Sequence, residues 1–407
     1  MSVASARPGW PGWAGCLLRP LAWLYAAGAT VHRRVGTRLR PRRARPACAI
    51  VSVGALTVGG AGKTPVAAWI AAGLARRGWR VVLASRGYGG ATRAAVVVVS
   101  DGARVQASAA SVGDEPIVLA AHAPGVPVLV GRDRRRVGHH AVSEFAAQIL
   151  VLDDGFQHHR LARDLDVVCI DATAGLGNGR VLPAGPLREP RASLRHADWL
   201  GLIGDEGEPA SAVEALAAEF RRDGGVVFGA RRRARALVSL DGTRRCAPTG
   251  LAGRRVGLVC GIAAPASFRR TVEALGARVV SLRALPDHHA YRPEDLRALD
   301  PTLELWLTTE KDATKISPSW PGSTSIWVLS IELEVEDAMG LLGRLEAALQ
   351  AAGRLASTAS RSVSPADSEL DAAETGPPAT RPDRSTSNRA RNRSPRRRAS
   401  QGQGGTE

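Results

Sequence analysis

Lysine is nearly absent from this chain of 407 residues. Of its 55 basic residues only Lys63, Lys311 and Lys315 are lysines, and all the others are arginines. The two types are not interchangeable, because an ammonium group is a compact point charge and a guanidinium is a planar fork. The compact ammonium kept at Lys63 therefore indicates a position where a guanidinium would not serve.

Cysteine and aromatic residues are also scarce. The five cysteines are scattered without paired spacing, so the sequence indicates neither a disulfide framework nor a zinc site. A reducing compartment such as the cytosol fits this usage best. Aromatic residues make up 4% of the chain, which leaves few side chains for stacking on nucleic-acid bases. With 44% hydrophobic residues, the chain is long enough for a soluble α/β protein of two domains with appendages.

The formal net charge of +17 is concentrated at the two ends of the chain. Residues 1–46 hold nine arginines and no acidic residue, and residues 355–407 hold nine arginines against six acidic residues. This distribution favours contact with an anionic surface, either a membrane or a polyanion. The Ser, Pro, Thr and Arg composition of residues 354–407 cannot form a core and predicts a disordered basic tail.

An apolar stretch rich in Trp and Leu runs from Trp10 to Ala29. Two prolines and an arginine interrupt it, so it lacks the roughly 20 unbroken apolar residues that a spanning helix needs. Because arginines follow it, the stretch predicts a helix that lies in the cytoplasmic leaflet against anionic headgroups. A cleaved signal peptide and simple packing of the helix on the core are the alternatives.

The segment from Ala49 to Pro65 reads as a buried strand, a glycine turn and the start of a helix. Its turn predicts a phosphate-binding loop, because glycines allow successive N–H groups to point at phosphate oxygens. The turn comprises Thr57, Val58, Gly59, Gly60, Ala61, Gly62, Lys63 and Thr64. Lys63 would reach the β and γ phosphates and Thr64 would offer its hydroxyl to Mg²⁺. The strict pattern has glycine where Thr57 stands, and the alternative is an ordinary glycine-rich turn.

A second polar cluster follows the apolar strand from Gln148 to Leu152. The strand ends in Asp153 and Asp154, and Mg²⁺ prefers hard oxygen ligands held rigidly at such a strand end. Gln157 and His158 come just beyond and are candidates for contact with nucleotide or substrate. The alternatives are a solvated loop for the aspartates and a structural role for the histidine.

Three further pairs of polar residues are candidates for the site. Asp114 and Glu115 open a helix, where they are either caps favoured by the helix dipole or the base and metal contact of a kinase. Arg188 and Glu189 lie in a loop rich in Gly and Pro and would hold substrate. His288 and His289 precede the helix at Pro293, and a capped turn is the alternative reading of that pair.

The order of the predicted elements divides the chain into five parts. These are an N-terminal membrane-associated helix and basic segment at 1–46, a P-loop kinase domain at 47–228, a β-hairpin linker at 229–247, a smaller α/β domain at 248–353 and the basic tail at 354–407. The linker is predicted from the alternation of apolar and basic residues around Asp241-Gly242, which is typical of a hairpin.

Together these segments resemble the tetraacyldisaccharide 4'-kinase family, the lipid A kinases. The similarity covers residues 10 to 350, with the motifs in the family's order, and Thr57 is itself typical of that family's loop. The motifs are Thr57 to Pro65, Ser85 to Gly90, Gly113 to Pro116, Asp153 to His158, Gly177 to Pro190, Asp287 to His289 and Thr309 to Ala313. The resemblance implies a P-loop NTPase-like α/β/α core and a second, smaller α/β domain joined by a two-stranded linker.

The activity that the resemblance implies is a Mg²⁺-dependent transfer of the γ-phosphoryl group of ATP in lipid A biosynthesis. The acceptor would be the 4'-hydroxyl of a tetraacylated glucosamine disaccharide 1-phosphate, at the cytoplasmic face of the inner membrane. The expected partners are that lipid and an anionic membrane surface. We expect no nucleic acid, and a monomer.

The roles of single residues also follow from the resemblance. Residues Thr57 to Thr64 would bind ATP with Gln157 and His158, and Lys63 would serve catalysis as well. The metal site would comprise Thr64, Glu115, Asp153, Asp154 and Glu189. Asp114 would be the base, paired with His288 of the second domain in preference to His289.

Two rival functions come from other classes of protein. A P-loop ATPase switch of the partitioning type would carry a second lysine in the loop, where Val58 stands. A nucleic-acid-binding NTPase is suggested by the arginine-rich tail, but the charge lies outside the predicted folded part.

Overall fold

The computed structural model describes residues 18–38, 45–205 and 209–355. The predicted disordered tail, from residue 356 onward, lies outside the described residues, as do the first 17 residues and residues 39–44 of the basic run. The described residues belong to one compact unit.

One sheet of thirteen strands runs through the described part of the chain. The strands of its first half are β1 Ala49–Gly54, β2 Val81–Ser85, β3 Val97–Ser100, β4 Val128–Val130, β5 Ile149–Asp153, β6 Leu165–Asp171, β7 Trp199–Gly204 and β8 Val226–Ser239. The strands of its second half are β9 Arg245–Cys246, β10 Arg255–Cys260, β11 Arg278–Ala284, β12 Trp306–Thr309 and β13 Ile326–Val335. The order across the sheet is β11-β10-β12-β13-β8-β7-β6-β1-β5-β2-β4-β3, and β9 pairs with β8.

Ten α-helices accompany these strands in the described residues. They are α1 Arg19–Arg38, α2 Lys63–Arg76, α3 Ala109–Val112, α4 Asp114–His122, α5 Arg134–Phe145, α6 Ser211–Arg222, α7 Pro265–Ala274, α8 Pro293–Arg297, α9 Glu310–Ala313 and α10 Ala338–Ala351. Strands and helices alternate along the chain, which is the pattern that produces a parallel sheet with helices packed on its faces.

The central strands of the first half are apolar along their whole length. Every residue of β1 and β5 is buried, and both strands pair in parallel with their neighbours. Strands that read as continuous apolar runs are those covered on both faces, as parallel sheets are. The helix α2 packs against this centre with Val66, Ile70 and Leu74 fully buried or nearly so. Because β1, β5 and β6 are parallel, the loops that follow them share one edge of the sheet.

The two halves of the sheet meet through one long antiparallel pair. The first residues of β8 pair in parallel with β7, and residues Ala230 to Ser239 pair antiparallel with β13. The hairpin predicted at 229–247 is present, but its returning strand β9 has two residues. The second strand of the linker is therefore β13, nearly 100 residues further along the chain, and not the return of that hairpin.

The N-terminal helix α1 has two different sides. Ala22 and Arg33 are buried against the first half, whereas Trp23 and Leu24 are 79% and 70% exposed. Pro20, which we treated as an interruption, lies in the first turn, where proline does not disturb the hydrogen bonding of a helix. Among the described helices, none combines the length and hydropathy that crossing a bilayer requires.

Candidate active site

The turn between β1 and α2 has the backbone of a phosphate-binding loop. Gly59 and Gly62 adopt positive φ angles of 101° and 77°, which side chains other than glycine rarely adopt. A Cβ atom on Gly62 would also lie 2.5 Å from Cγ2 of Ile203. The helix α2 begins at Lys63, so the positive end of its dipole faces the turn. These features fit an anion such as a nucleotide phosphate.

The loop after β6 is tied to this turn. The N–H of Val58 donates to Pro186 O at 2.9 Å, and the N–H of Arg188 donates to Leu56 O. The side chain of Arg188 then reaches Asp154, whose other cation is Lys63, with Nζ 3.7 Å from Oδ1. Burial opposes ionisation of Asp154, but the charges of Lys63 and Arg188 outweigh it and lower the pKa of this carboxyl. Asp154 is thus held as a carboxylate at the phosphate side of the turn.

Asp153 lies deeper than its neighbour and meets the turn through Thr64. The Thr64 hydroxyl donates to Oδ2 of Asp153 at 3.1 Å, and Asp153 is 1% exposed. Burial raises the pKa of Asp153 to about 7, and the charge of Glu115 adds to the rise. Its other oxygen, Oδ1, is buried with no hydrogen-bond donor among the described residues.

These residues fit a Mg²⁺ ion that a nucleotide brings with it. A buried carboxylate oxygen without a donor and a neighbouring hydroxyl are oxygen ligands of the kind that Mg²⁺ takes in phosphate sites. Within the described ranges, no group of three or more His, Cys, Asp or Glu side chains forms a metal site by itself. This agrees with the habit of Mg²⁺ of using one or two carboxylates together with phosphate oxygens and water.

A histidine from the second half of the sheet contacts Asp114. Asp114 opens α4 and is 4% exposed, and Nδ1 of His288 lies 3.2 Å from each of its two carboxylate oxygens. His288 has a positive φ of 61°, which is uncommon for a residue other than glycine. Such strain is found where surrounding contacts over-determine a residue, often in functional sites. The neighbouring His289 turns away and meets Asp295 at 2.9 Å.

Two of the three lysines join this pair. Lys315 Nζ lies 3.2 Å from Oδ2 of Asp114, and Lys311 Nζ lies 3.2 Å from Nε2 of His288. Since Lys63 contacts Asp154, each lysine of the chain contacts a residue that the sequence placed in the site. The sequence singled out Lys63, and it gave no signal for the partners of Lys311 and Lys315.

Gln157 and His158 lie beyond the end of β5. The amide nitrogen of Gln157 donates to Ala55 O at 3.0 Å, which leaves its oxygen without a donor among the described residues. Burial lowers the pKa of His158 to about 4, with the charges of Arg134 and Arg163 contributing. The ring is therefore neutral near pH 7. Contact of these two side chains with a nucleotide remains a prediction.

Glu189 has contacts that differ from the metal ligation predicted for it. Its Oε2 accepts from Nε of Arg33 at 2.8 Å, and Nε2 of His159 lies 3.7 Å from its Oε1. The Arg33 guanidinium also stacks on the ring of Phe156, at 4.7 Å from the centroid. Both oxygens of Glu189 are engaged in this buried cluster, so Glu189 joins α1 to the loop after β6. Its metal ligation remains a prediction.

Two arginines near the site were not singled out by the sequence. Arg134 is 2% exposed and donates to the backbone oxygen of Asp153, with burial lowering its pKa to about 10. Arg232, on β8, reaches Asp205 at 2.9 Å and Gly60 O at 3.4 Å. Both lie in arginine-rich segments, where composition gives no means of telling a site residue from a surface one.

The phosphate turn, the buried aspartate beside its threonine and the carboxylate of Asp114 define a P-loop phosphotransferase. Comparison with known proteins specifies the family. A family model for tetraacyldisaccharide-1-P 4'-kinase (LpxK) matches residues 14–350. The chain belongs to this family.

Individual relatives cover most of the chain. The tetraacyldisaccharide 4'-kinase of Syntrophus aciditrophicus (strain SB) is 40% identical over 333 residues, which are 79% of this chain and 89% of that protein. That of Anaeromyxobacter dehalogenans (strain 2CP-1) is 46% identical over 316 residues, 76% of this chain and 82% of that protein. A crystal structure of LpxK from Aquifex aeolicus, described as an "apo" form in complex with ATP, matches with a TM-score of 0.67 and 27% identity. The match covers 82% of this chain and 99% of that one.

The fold class, the family and the kinase activity predicted from the sequence are therefore confirmed.

Proposed function

We propose that the protein transfers the γ-phosphoryl group of ATP to the 4'-hydroxyl of a tetraacylated glucosamine disaccharide 1-phosphate. The observation that carries the proposal is the contact of Asp114 with His288 beside a phosphate-binding turn. Asp114 is adjacent in the chain to Glu115, whose charge acts on Asp153, and Asp153 in turn accepts from Thr64. In this proposal the carboxylate of Asp114, the phosphate turn and an aspartate that would hold the metal belong to one continuous site.

The nucleotide would lie on the turn from Thr57 to Thr64. Lys63 would bind the β and γ phosphates, and the first-turn N–H groups of α2 would face the same charge. Thr64, Asp153 and Asp154, with Glu115 nearby, would hold Mg²⁺. When bound, Mg²⁺ neutralises charge that develops on the phosphate oxygens during transfer.

Asp114 would activate the hydroxyl group of the acceptor. A sugar hydroxyl is a poor nucleophile, and a positioned carboxylate accepts its proton as the phosphoryl group transfers. His288 fixes the orientation of that carboxylate by contacting both of its oxygens. Because Asp114 precedes β4 and His288 follows β11, the pair depends on correct placement of both halves of the sheet. Closure of one half onto the other would also exclude water from ATP.

A groove beside α1 suits the lipid. It has a volume of about 630 Å³ and lies between α1 and the segment from Gly179 to Arg191. Its apolar wall includes Ala22, Ala26 and Val181, and its rim carries Arg19, Arg34, Arg180 and Arg191. An apolar floor under arginines complements an acylated molecule that bears a phosphate. We place an acyl chain and the 1-phosphate of the acceptor here.

The exposed side of α1 would contact the membrane. Leu21, Trp23, Leu24 and Val31 are each more than half exposed, and arginines accompany them on the same helix. An amphipathic helix with apolar and basic residues lies in the interface of an anionic bilayer rather than across it. We place the protein as a monomer on the cytoplasmic face of the inner membrane, where ATP is available, with no role for nucleic acid.

The direct test is incubation of the full chain with γ-labelled ATP, Mg²⁺ and the acylated disaccharide 1-phosphate in detergent micelles. The proposal expects the label in a bis-phosphorylated lipid whose new phosphate is at the 4' position. Release of labelled inorganic phosphate without labelled lipid would show an ATPase and refute the assigned acceptor.

A further inference from the structure

The ammonium group of Lys315 bridges the two halves of the molecule at the proposed base. Its Nζ donates to Oδ2 of Asp114 at 3.2 Å and lies 3.2 Å from Oδ1 of Asp312, an aspartate of its own half. It also lies 5.6 Å from the ring centroid of Tyr291. The Lys315 side chain is 13% exposed, so this charge is largely shielded from water.

The carboxylate of Asp312 is held in place by hydrogen bonds, so it keeps its contact with Lys315. It is fully buried, and its Oδ2 accepts from the N–H of Gly261 at 3.0 Å and from the Thr309 hydroxyl at 2.7 Å. In the described part of the chain, Lys315 is the one lysine or arginine in ion-pair contact with Asp114. The remaining ionisable groups around Asp114 are Glu115 in sequence and His288 in contact.

Lys311 acts on the far side of the histidine. Its Nζ lies 3.2 Å from Nε2 of His288 and 3.4 Å from Oδ1 of Asp287. An ammonium group has donors and no acceptor, so Nε2 accepts in this contact and carries no proton. The proton of the neutral ring is then on Nδ1, which donates to the carboxylate of Asp114.

We propose that Lys315 and Lys311 are positioning residues of the phosphoryl transfer: Lys315 holds the carboxylate of Asp114 in place, and Lys311 fixes the tautomer of His288. The histidine is thereby a neutral donor that orients Asp114, and Asp114 alone accepts the proton of the sugar hydroxyl. The inference rests on the proposed function, because it assigns parts within that same site.

The two lysines explain why ammonium groups are kept in an arginine-rich chain. Each meets one atom of its target from a crowded position, Lys315 between two carboxylates and Lys311 at a single ring nitrogen. A guanidinium presents several donors in a fixed plane and needs more room than a point charge does. Arginine at either position would keep the positive charge but could not make the same single-atom contact.

The kinetic test separates kcat from KM for the lipid acceptor in Lys315→Met and Lys315→Arg. The methionine variant loses the contact with Asp114, so we expect kcat to fall about tenfold or more while KM and the affinity for an ATP analogue change little. The arginine variant keeps the charge but not the single-point contact, so its kcat should lie between those of the wild type and the methionine variant. A methionine variant with the kcat of the wild type, or one whose nucleotide affinity falls in proportion to kcat, would overturn the role of Lys315.

The tautomer is tested without turnover. The full chain is labelled with ¹⁵N-histidine, and the signals of His288 are assigned by their loss in His288→Gln. We expect a protonated Nδ1 and an unprotonated Nε2 in the wild type, and a population with protonated Nε2 in Lys311→Met. A wild-type ring that carries its proton on Nε2, or is doubly protonated at pH 7.5, would overturn the role of Lys311.

Failure of this inference and failure of the proposed function are distinguishable. A wild type that labels no lipid but shows the Nδ1 tautomer refutes the acceptor and leaves the positioning of His288 intact. A wild type that labels the lipid while the lysine variants keep its kcat and its histidine tautomer refutes the lysines alone. ATP-analogue binding and the melting temperature of each variant establish that it is folded.

Discussion

One nitrogen of Arg188 donates to both carboxylate oxygens of Asp154, at 2.9 and 2.8 Å. This contact connects the loop that would hold the acceptor to the turn that would hold ATP, because Asp154 also faces Lys63. The carboxylate of Asp154 therefore pairs with two cations, Arg188 and Lys63. Arg188 allows Lys63 to serve a phosphate without leaving Asp154 unpaired.

Removal of Arg188 should weaken ATP binding. In Arg188→Met, Lys63 is the remaining cation of this contact, so Asp154 competes with the phosphates for it. We expect Kd for a non-hydrolysable ATP analogue to rise about tenfold, which corresponds to ~1.4 kcal/mol. Isothermal titration calorimetry measures this, with Arg188→Lys as the variant that retains a charge. An unchanged affinity in the methionine variant would show that the contact is independent of nucleotide binding.

The raised pKa of Asp153 predicts an effect of pH on stability in metal-free protein. Burial favours the protonated form, so the folded state retains a proton that the unfolded chain releases above the ordinary value of 3.8. The ionisation of Asp153 therefore costs stability, and the cost grows between pH 4 and about 7. We expect Asp153→Asn to raise the melting temperature relative to the wild type more at pH 8 than at pH 4.

Asp154→Asn is the matched control, since the pKa of Asp154 is lowered and the sign reverses. Ionised Asp154 stabilises the fold at neutral pH, and this contribution is lost as the pH falls below the ordinary carboxyl range. The Asp154→Asn variant should therefore melt below the wild type at pH 8 and approach it in acid. Equal changes of both variants at both pH values would contradict the assigned environments.

The ion pair between Arg33 and Glu189 should hold α1 on the first half. Both side chains are less than a tenth exposed, so removing one partner takes the nearest opposite charge from a buried group. Arg33→Met and Glu189→Gln should each lower the free energy of unfolding by about 3–5 kcal/mol. Urea denaturation measures both, together with the double variant. A double variant less destabilised than the sum of the singles is expected, and strict additivity would show that the pair does not couple.

The exposed side of α1 should govern membrane binding. Leu24→Glu places a charge at a position that we assign to the bilayer interface, so we expect binding to vesicles with anionic lipid to weaken about tenfold. Met339→Glu on α10 is a matched control, because Leu24 and Met339 are both 70% exposed. Vesicle sedimentation measures the two variants. Equal weakening in both would indicate a general charge effect and no specific contact by α1.

Local patterns in the sequence were sufficient for most of the architecture. The strand predicted from Gln148 to Leu152 matches β5 to within a residue at each end, because uninterrupted apolar runs mark strands covered on both faces. The glycine turn at Gly62 and the aspartates after β5 were found because their chemistry requires fixed residue types at fixed spacing.

Contacts between segments far apart in the chain could not be predicted from local patterns. The pairing of β8 with β13 joins residues far apart in the chain, whereas the hairpin signal at Asp241 is local, so the local signal misplaced the second linker strand. The partner of Glu189 is Arg33, and no spacing rule relates the two. The apolar stretch that predicted α1 ends at Ala29, whereas the helix continues to Arg38 and includes Arg33, whose buried partner composition does not reveal.

In the proposed mechanism Asp114 and His288, supplied by opposite halves of the sheet, activate the sugar hydroxyl. The decisive measurement is kcat for 4'-phosphorylation of the lipid by Asp114→Ala, His288→Ala and His289→Ala, alongside their affinity for an ATP analogue. We expect the first two variants to lose at least about 100-fold in kcat with little change in nucleotide binding, while His289→Ala retains near-normal turnover. Near-normal turnover by the Asp114 or His288 variant would contradict it.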